Sequence, residues 1–375
     1  MYPNVFCSDF AIYINSLIAL HYRQNKTIVV SRENFMRAVV VEQPNVIAIR
    51  TIQEPEVGPY QALVKVDTCA LCNATDSKLI AGHFPGVETY PLVLGHEGTG
   101  IVCKVGAKVR SFKLGDRAIG GLVFSFKEPD LATGWGGFCD AVLINDHDAM
   151  VADGVADAEH GWFECYEIQR TVTADIPAAE AALLCTWREV YGGIGDFNIQ
   201  PKDRVLIFGA GPVGLSFVKF CKLMGVRWVG LVDPLPHKRE RARAMGADAV
   251  FAPDALSSLA AGSLDVVVDA VGSEKIVNTA LPLITLGGTI GIYGVIAAPT
   301  LTLDKARGPY NFNLIVHQWP TRWRERDAQT PLCQWIREGK LKASDFVTHT
   351  FPIEQINEAV AAVKSGDVVK CLLTF

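Results

Sequence analysis

The stretch "YPLVLGHEGTG", residues 90–100, sets His96 directly beside Glu97 at the end of a short apolar run. Such a pair can ligate a metal or simply satisfy its own hydrogen bonds in a core. A lone histidine is most simply a structural residue, so the weight falls on what else the chain brings to that point. Two further segments carry suitable donors: "CALCNATD", 69–76, and "LLCTW", 183–187. A catalytic zinc takes three protein ligands and keeps one position open. Cys72, His96 and Cys185 would supply two thiolates and an imidazole, donors of suitable softness. Glu97 stands by as an alternate fourth ligand.

A second constellation is "GAGPVG", residues 209–214. G-x-G-x-x-G is a weak signal alone, but here a strand-like run, "DRVLIFG", leads into it and a helical pattern follows. Gly209 permits the tight turn, Gly211 lets the backbone approach a pyrophosphate, and Gly214 lets helix and strand pack closely. Pro212 and Val213 fall in the helix's first turn, whose N–H groups attract phosphate. Asp233 closes the next strand. An acid there accepts hydrogen bonds from ribose hydroxyls and repels a 2′-phosphate, so NAD is favoured over NADP. Lys238 and Arg239 follow closely and keep an NADP reading open. Without a nucleotide, Asp233 would merely cap the next turn.

These residues need a scaffold. From about 36 to 185 the chain offers short β-branched runs punctuated by Gly and Pro, among them "MRAVVVE", "QALVKVD", "GTGIVCKVG" and "GGFCDAVLI". From about 200, apolar strands alternate with helical stretches, which predicts a parallel sheet covered on both faces. The chain closes with an amphipathic helix, "IEQINEAVAAVKSG", and a strand, "VVKCLLTF". The fold class is therefore α/β, a Rossmann doubly wound domain beside a strand-rich one. The expected divisions are an extension at 1–35, a catalytic part at 36–186, a dinucleotide-binding domain at 187–320, and a return to the catalytic domain at 321–375.

Composition limits the alternatives. The 375 residues suffice for about two domains. A net charge of −5 argues against nucleic acid as a partner. The basic run "HKRERAR", 237–243, reads as the solvated face of a helix. Ten scattered cysteines suit a reduced interior rather than a disulfide framework. The apolar run "FAIYINSLIAL", 10–20, is broken by Asn15 and Ser16 and is too short to cross a membrane. No Lys or Arg precedes it, and Asp9 makes a poor mitochondrial signal, so the expected location is cytoplasmic.

With these residues in view, the chain resembles the zinc-dependent medium-chain alcohol dehydrogenases, on their polyol and secondary-alcohol side. "GHEGTGIVCKVGAKVRSFKLGDRAI", 95–119, matches that family's signature at His96, Glu97, Gly100, Val105, Gly106, Val109, Phe112, Gly115, Asp116 and Arg117. The likeness runs from about Met36 onward. It implies a GroES-like catalytic domain split by a coenzyme domain, with zinc in the cleft between them. It also implies that Cys72, His96 and Cys185 hold the zinc. Thr75 resembles the hydroxyl residue that takes the substrate proton, and Asp76 the carboxylate that orients the ligating histidine. The implied reaction is reversible oxidation of an alcohol to a ketone or aldehyde, with hydride passing to NAD. A small alcohol or polyol is the expected partner, and a homodimer or homotetramer the expected assembly.

The chain departs from the family pattern in several places. Cys72 stands three residues before Thr75 where the family spacing is two, an excess that a bulge could absorb. Cys69 is a rival ligand whose simpler reading is a small buried hydrophobe. Lys78 replaces a relay histidine found in some members. Residues 120–138 hold no cysteine, so a second, structural zinc is not expected and the count is one per chain. Cys103, Cys139 and Cys221 read as core residues. Trp187, Arg188 and Glu189 either shape an unusual pocket or belong to a helix. Residues 156–175 look like an insertion, most simply a surface loop, otherwise part of a lid or subunit contact. A zinc-free quinone or enone reductase of the same superfamily, or a non-catalytic protein on this fold, are the competing readings.

Overall fold

In a computed structural model the described residues are 34–296, 298–317, 319 and 321–375. The reading of 1–35 as an extension lies, apart from Asn34 and Phe35, outside them. The chain forms two compact α/β units. The first holds residues 34–155, Gln169–Val172 and His349–Phe375; the second holds Ala156–Ile168 and Thr173–Thr348. Among the described residues no helix is long and apolar enough to cross a membrane.

The first unit opens with β1 (Phe35–Gln43), β2 (Val46–Gln53) and β3 (Gln61–Leu71), then helix α1 (Thr75–Ala81). β4 (Leu92–Val93), β5 (Glu97–Val105), β6 (Arg117–Ile119), β7 (Ala132–Thr133) and β8 (Ala141–Asn145) follow, then helix α2 (His147–Ala152) and β9 (Arg170–Val172). The alternating apolar positions of β1 and β3 bury Ala38, Val40, Ala62, Val64 and Val66 in one core. β3 and β5 pair antiparallel with Cys69 opposite Gly98 and Ala70 opposite Glu97. That register brings the end of β3 against the start of β5.

The second unit is built from α3 (Ala178–Asp196), β10 (Arg204–Phe208), α4 (Pro212–Leu223), β11 (Trp228–Val232), α5 (Pro236–Ala244) and β12 (Ala249–Phe251). It continues through β13 (Leu264–Asp269), α6 (Glu274–Ala280), β14 (Ile284–Ile292), β15 (Asn313–Val316) and α7 (Arg322–Arg337). Its sheet is parallel, in the order β12-β11-β10-β13-β14-β15. Strands covered on both faces have no polar side, which is why "VLIF" and "VGLV" are buried residue after residue. The strand order reverses direction between β10 and β13, the point where such sheets take ligands. The chain then returns to the first unit through β16 (Val347–Pro352), α8 (Ile356–Ser365) and β17 (Lys370–Thr374), with β17 lying between β16 and β3.

Three expectations need correction. Residues 156–175 are not a bare loop: Tyr166 is buried, and the carboxylates of Glu164, Glu167 and Asp175 pair with Arg322, Arg326 and Arg337 along α7. Trp187 and Arg188 do not line an open pocket, since both are buried on α3. The Arg188 guanidinium donates to the carbonyl oxygens of Leu184 and Ile168 and to Gln329. Cys103 lies on the exposed end of β5, whereas Cys139 and Cys221 are core residues as expected. The basic run 237–243 does form the solvated α5, which buries only Ala242.

Asp146 shows how the first unit is tied together. Its carboxylate caps α2 through Ala149 and accepts from the N–H groups of Arg110 and Ser111 and from the Ser111 hydroxyl. Burial pushes its pKa up, but these donors outweigh burial and hold it below the ordinary carboxylate range. Its contribution is therefore present above a pH of about 4 and is lost as the pH falls further. Asp146→Ala is expected to lower the unfolding free energy by about 2–3 kcal/mol in urea at neutral pH. The gap to the wild type should narrow in acid.

Candidate active site

Cys72 lies one residue past β3 and His96 one residue before β5, so the β3–β5 pairing itself draws thiol and imidazole together. Gly95 makes the approach possible. Its φ is +98°, and a Cβ there would lie 2.4 Å from the Phe138 ring. One donor atom each from Cys72, His96 and Glu97 falls within 4.8 Å of the others. Tetrahedral zinc, bound at about 2.0–2.3 Å, holds its donors about 3.5 Å apart. The cluster therefore needs only a small contraction to close on an ion.

The atoms behind the cluster fit the same group. Asp76 is fully buried, and its Oδ2 accepts the Cys72 backbone N–H at 2.8 Å. Its Oδ1 lies 3.6 Å from His96 Nδ1, and both atoms are buried without a hydrogen-bond partner. Turned toward each other, these two orphans satisfy one another and leave Nε2 as the donor. Nε2 is the atom that faces Glu97, at 3.7 Å. Burial opposes charge on the His96 ring. Asp76 and then Cys72 overcome it and hold the imidazole well above its usual pKa. Cys72, Asp76 and Glu97 together bring more negative charge than their surroundings neutralise, which suits a cation.

The extra residue of "CNATD" is taken up in the turn between β3 and α1, not in a strand bulge. Asn73 Nδ2 points at the carbonyls of Val368 and Val369, at 3.4 and 3.3 Å, just before β17. The chain then re-enters register at Thr75, whose N–H donates to Cys72 Sγ at 3.5 Å. Thr75 and Lys78 both lie half-buried on α1. Cys69 belongs to the apolar core. Cys185 is buried on α3, in the second unit.

Two residues of this neighbourhood escaped the sequence reading. Lys370 is fully buried, and its Nζ holds both Glu97 oxygens, at 2.8 and 2.6 Å. Burial lowers its pKa, but Glu97, then Cys72 and Asp76, raise it overall, so the ammonium stays charged. The signal was available: a lysine inside the apolar run "VVKCLLTF" requires a buried acid. The second is Trp135, whose ring lies 5.7 Å from that of His96. Its φ of +72° is a left-handed conformation that costs a bulky residue about 1–2 kcal/mol.

In the second unit the "GAGPVG" turn separates its three glycines by cause. Gly209 has φ +98°, which a side chain would strain. A Cβ on Gly214 would lie 1.8 Å from the Gly209 carbonyl oxygen. Gly211 has an ordinary φ and open space where a Cβ would go, so nothing in the fold demands glycine there. Room for an approaching ligand explains it. Pro212 and Val213 fill the first turn of α4, a helix with no side-chain cap. Asp233 is buried, and its carboxylate accepts from Ala210 N–H and Leu235 N–H, so it does cap the turn. Each oxygen keeps a further lone pair for a ribose hydroxyl. Lys238 is half-buried on α5, and Arg239 reaches back to the carbonyls of Asp233 and Pro234.

Comparison with known proteins agrees with this geometry. Residues 58–154 match the family model described as alcohol dehydrogenase GroES-like domain, and residues 212–314 match zinc-binding dehydrogenase. The chain is 26% identical over 358 residues to the alcohol dehydrogenase class-3 of Myxine glutinosa, covering 86% of this chain and 94% of that one. It is 26% identical over 355 residues to the sorbitol dehydrogenase of Bombyx mori, covering 91% and 98%. Among solved structures, a putative zinc-binding dehydrogenase from Sinorhizobium meliloti 1021, bound to NADP, superposes with a TM-score of 0.74 at 23% identity. The match covers 92% of this chain and all of that one.

Removing one member of the buried ion pair strands the other. Lys370→Met is expected to cost about 3–5 kcal/mol in urea unfolding. Adding Glu97→Gln to Lys370→Met should recover much of that loss, because no unpaired charge then remains.

Proposed function

Because the chain belongs to the zinc-type medium-chain alcohol dehydrogenase family, oxidoreductases acting on CH–OH groups, we propose that it oxidises a secondary alcohol or polyol reversibly with zinc and NAD. The observation that carries this reading is the Cys72–His96–Glu97 cluster, with Asp76 behind its histidine. In this reading Cys72, His96 and Cys185 hold one zinc per chain, and Glu97 is the alternate fourth ligand. When bound, zinc supplies a Lewis acid toward the alcohol oxygen, and the nicotinamide ring supplies the two-electron acceptor.

The chain's own residues divide the remaining work. Asp76 accepts from His96 Nδ1–H and fixes the ring's tautomer. The Thr75 hydroxyl, at the start of α1, takes the proton that leaves the alcohol oxygen. Lys78, one turn further along the same helix, stands where that proton can pass on toward water. Lys370 keeps Glu97 drawn to one side, so Glu97 reaches a metal only by loosening that pair. Gly209, Gly211, Pro212, Val213 and Gly214 cradle the pyrophosphate. Asp233 receives the ribose hydroxyls, with Lys238 beside them. Although the neighbour from Sinorhizobium meliloti carries NADP, Asp233 sets a carboxylate against a 2′-phosphate and supports NAD here. The absence of cysteine from 120–138 and the likeness to a sorbitol dehydrogenase support the secondary-alcohol and polyol side.

Elemental analysis of protein expressed with ample metal should find about one zinc per chain. Cys185→Ser should lose zinc and turnover, yet keep its dissociation constant for NAD within about twofold. A zinc-free wild type, or unchanged turnover in Cys185→Ser, would overturn the zinc reading. Asp233→Ser should shift the ratio of kcat/KM values from NAD toward NADP by about tenfold or more, as steady-state kinetics with both coenzymes would show.

A further inference from the structure

Trp135 sits on a loop built to lie against the strand that carries His96. Gly134 N–H donates to Val93 O at 2.7 Å, Gly137 N–H to Gly95 O at 2.7 Å, and Phe138 N–H to Leu94 O at 2.8 Å. A Cβ on Gly137 would lie 2.6 Å from the Gly95 carbonyl oxygen, so this approach depends on glycine. The loop swings the indole to 5.7 Å from the His96 ring, tilted by 52°. Phe84, beyond α1, meets the indole edge-on at 5.4 Å. Both rings rest on the apolar core of the first unit, and both remain only half-buried.

The backbone at Trp135 is the informative detail. A turn with φ +72° suits glycine, and Gly134 and Gly136 flank the position. An indole there is strained and incompletely buried, so the fold gains little from it. What it does provide is a flat apolar surface directly beside the cluster that would receive the alcohol oxygen.

We propose that Trp135 and Phe84 determine substrate specificity, selecting secondary alcohols whose carbinol carbon carries a flat apolar ring over polyols. This rests on the site proposed above and narrows its substrate class. An aryl group stacks on such rings, with the alcohol oxygen directed at the cluster. A polyol would press hydroxyls against indole and phenyl, stripping their water without replacing its hydrogen bonds.

The test compares 1-phenylethanol, 2-butanol and sorbitol on the zinc-loaded enzyme with NAD. The wild type should give the highest kcat/KM with 1-phenylethanol and the lowest with sorbitol. Trp135→Ala should lower kcat/KM for 1-phenylethanol by about tenfold, mainly through KM, and for 2-butanol by less than about threefold, with zinc per chain unchanged. Trp135→Phe should restore most of the loss. Equal losses on both alcohols, or loss of zinc, would make Trp135 a prop for His96 and overturn the proposal. Should Trp135→Ala fail to fold, the wild-type ranking decides, and a preference for sorbitol overturns it. Failure of the zinc-loaded wild type on all three alcohols would sink the catalytic reading itself. Turnover of sorbitol with zinc bound would sink only the narrowing.

Discussion

A charge in a dry interior must have a partner, and in the first unit that rule fixes the site. Lys370 lies beneath β17 with no access to water, and Glu97 is equally enclosed at the start of β5. Each is tolerable only because of the other. Their pairing ties β17 to β5 across β3, and β3 ends at Cys72. The relative placement of thiol, imidazole and carboxylate thus follows from an ion pair that touches none of the proposed chemistry directly. Asn73 adds a second tie, from the ligand turn to Val368 and Val369 beside the same strand.

Much of this was legible in the sequence because each signal was local. The "GHE" stretch, the thiol of "CNATD" and the "GAGPVG" turn are short runs whose residues act on near neighbours, and the structure draws Cys72, His96 and Glu97 together. The alternating strands and helices of the second unit were equally plain, since strands buried on both faces leave no polar alternation to confuse the reading. What stayed hidden depends on distant partners or on backbone geometry. Lys370 finds Glu97 across 273 positions of sequence. Trp135 matters through a φ angle that no composition reveals.

The misreadings have the same origin. Residues 156–175 look polar and irregular, yet their acids are spaced to meet arginines on a helix much further along the chain. Cys103 sits in an apolar-looking strand whose far end lies outside the core, so period alone placed it wrongly. Arg188 looked like a residue for a pocket because charge usually seeks water. Carbonyl oxygens from Leu184 and Ile168 satisfy it inside the protein instead. Asp233 answered both of its readings at once, capping the turn while keeping capacity for a sugar.

The interleaving of the two units has a consequence for the order in which the protein can be made. Synthesis starts on the first unit, builds the whole of the second, and only then delivers β16, α8 and β17. Until β17 emerges from the ribosome, β3 lacks a neighbour and Glu97 lacks its cation. Within the second unit, the acids of 156–168 likewise wait for the arginines of α7. The nascent chain therefore carries an unfinished sheet edge and an unmatched buried acid through most of its translation. The second unit, finished earlier, is the half able to shelter that intermediate while the last strand arrives.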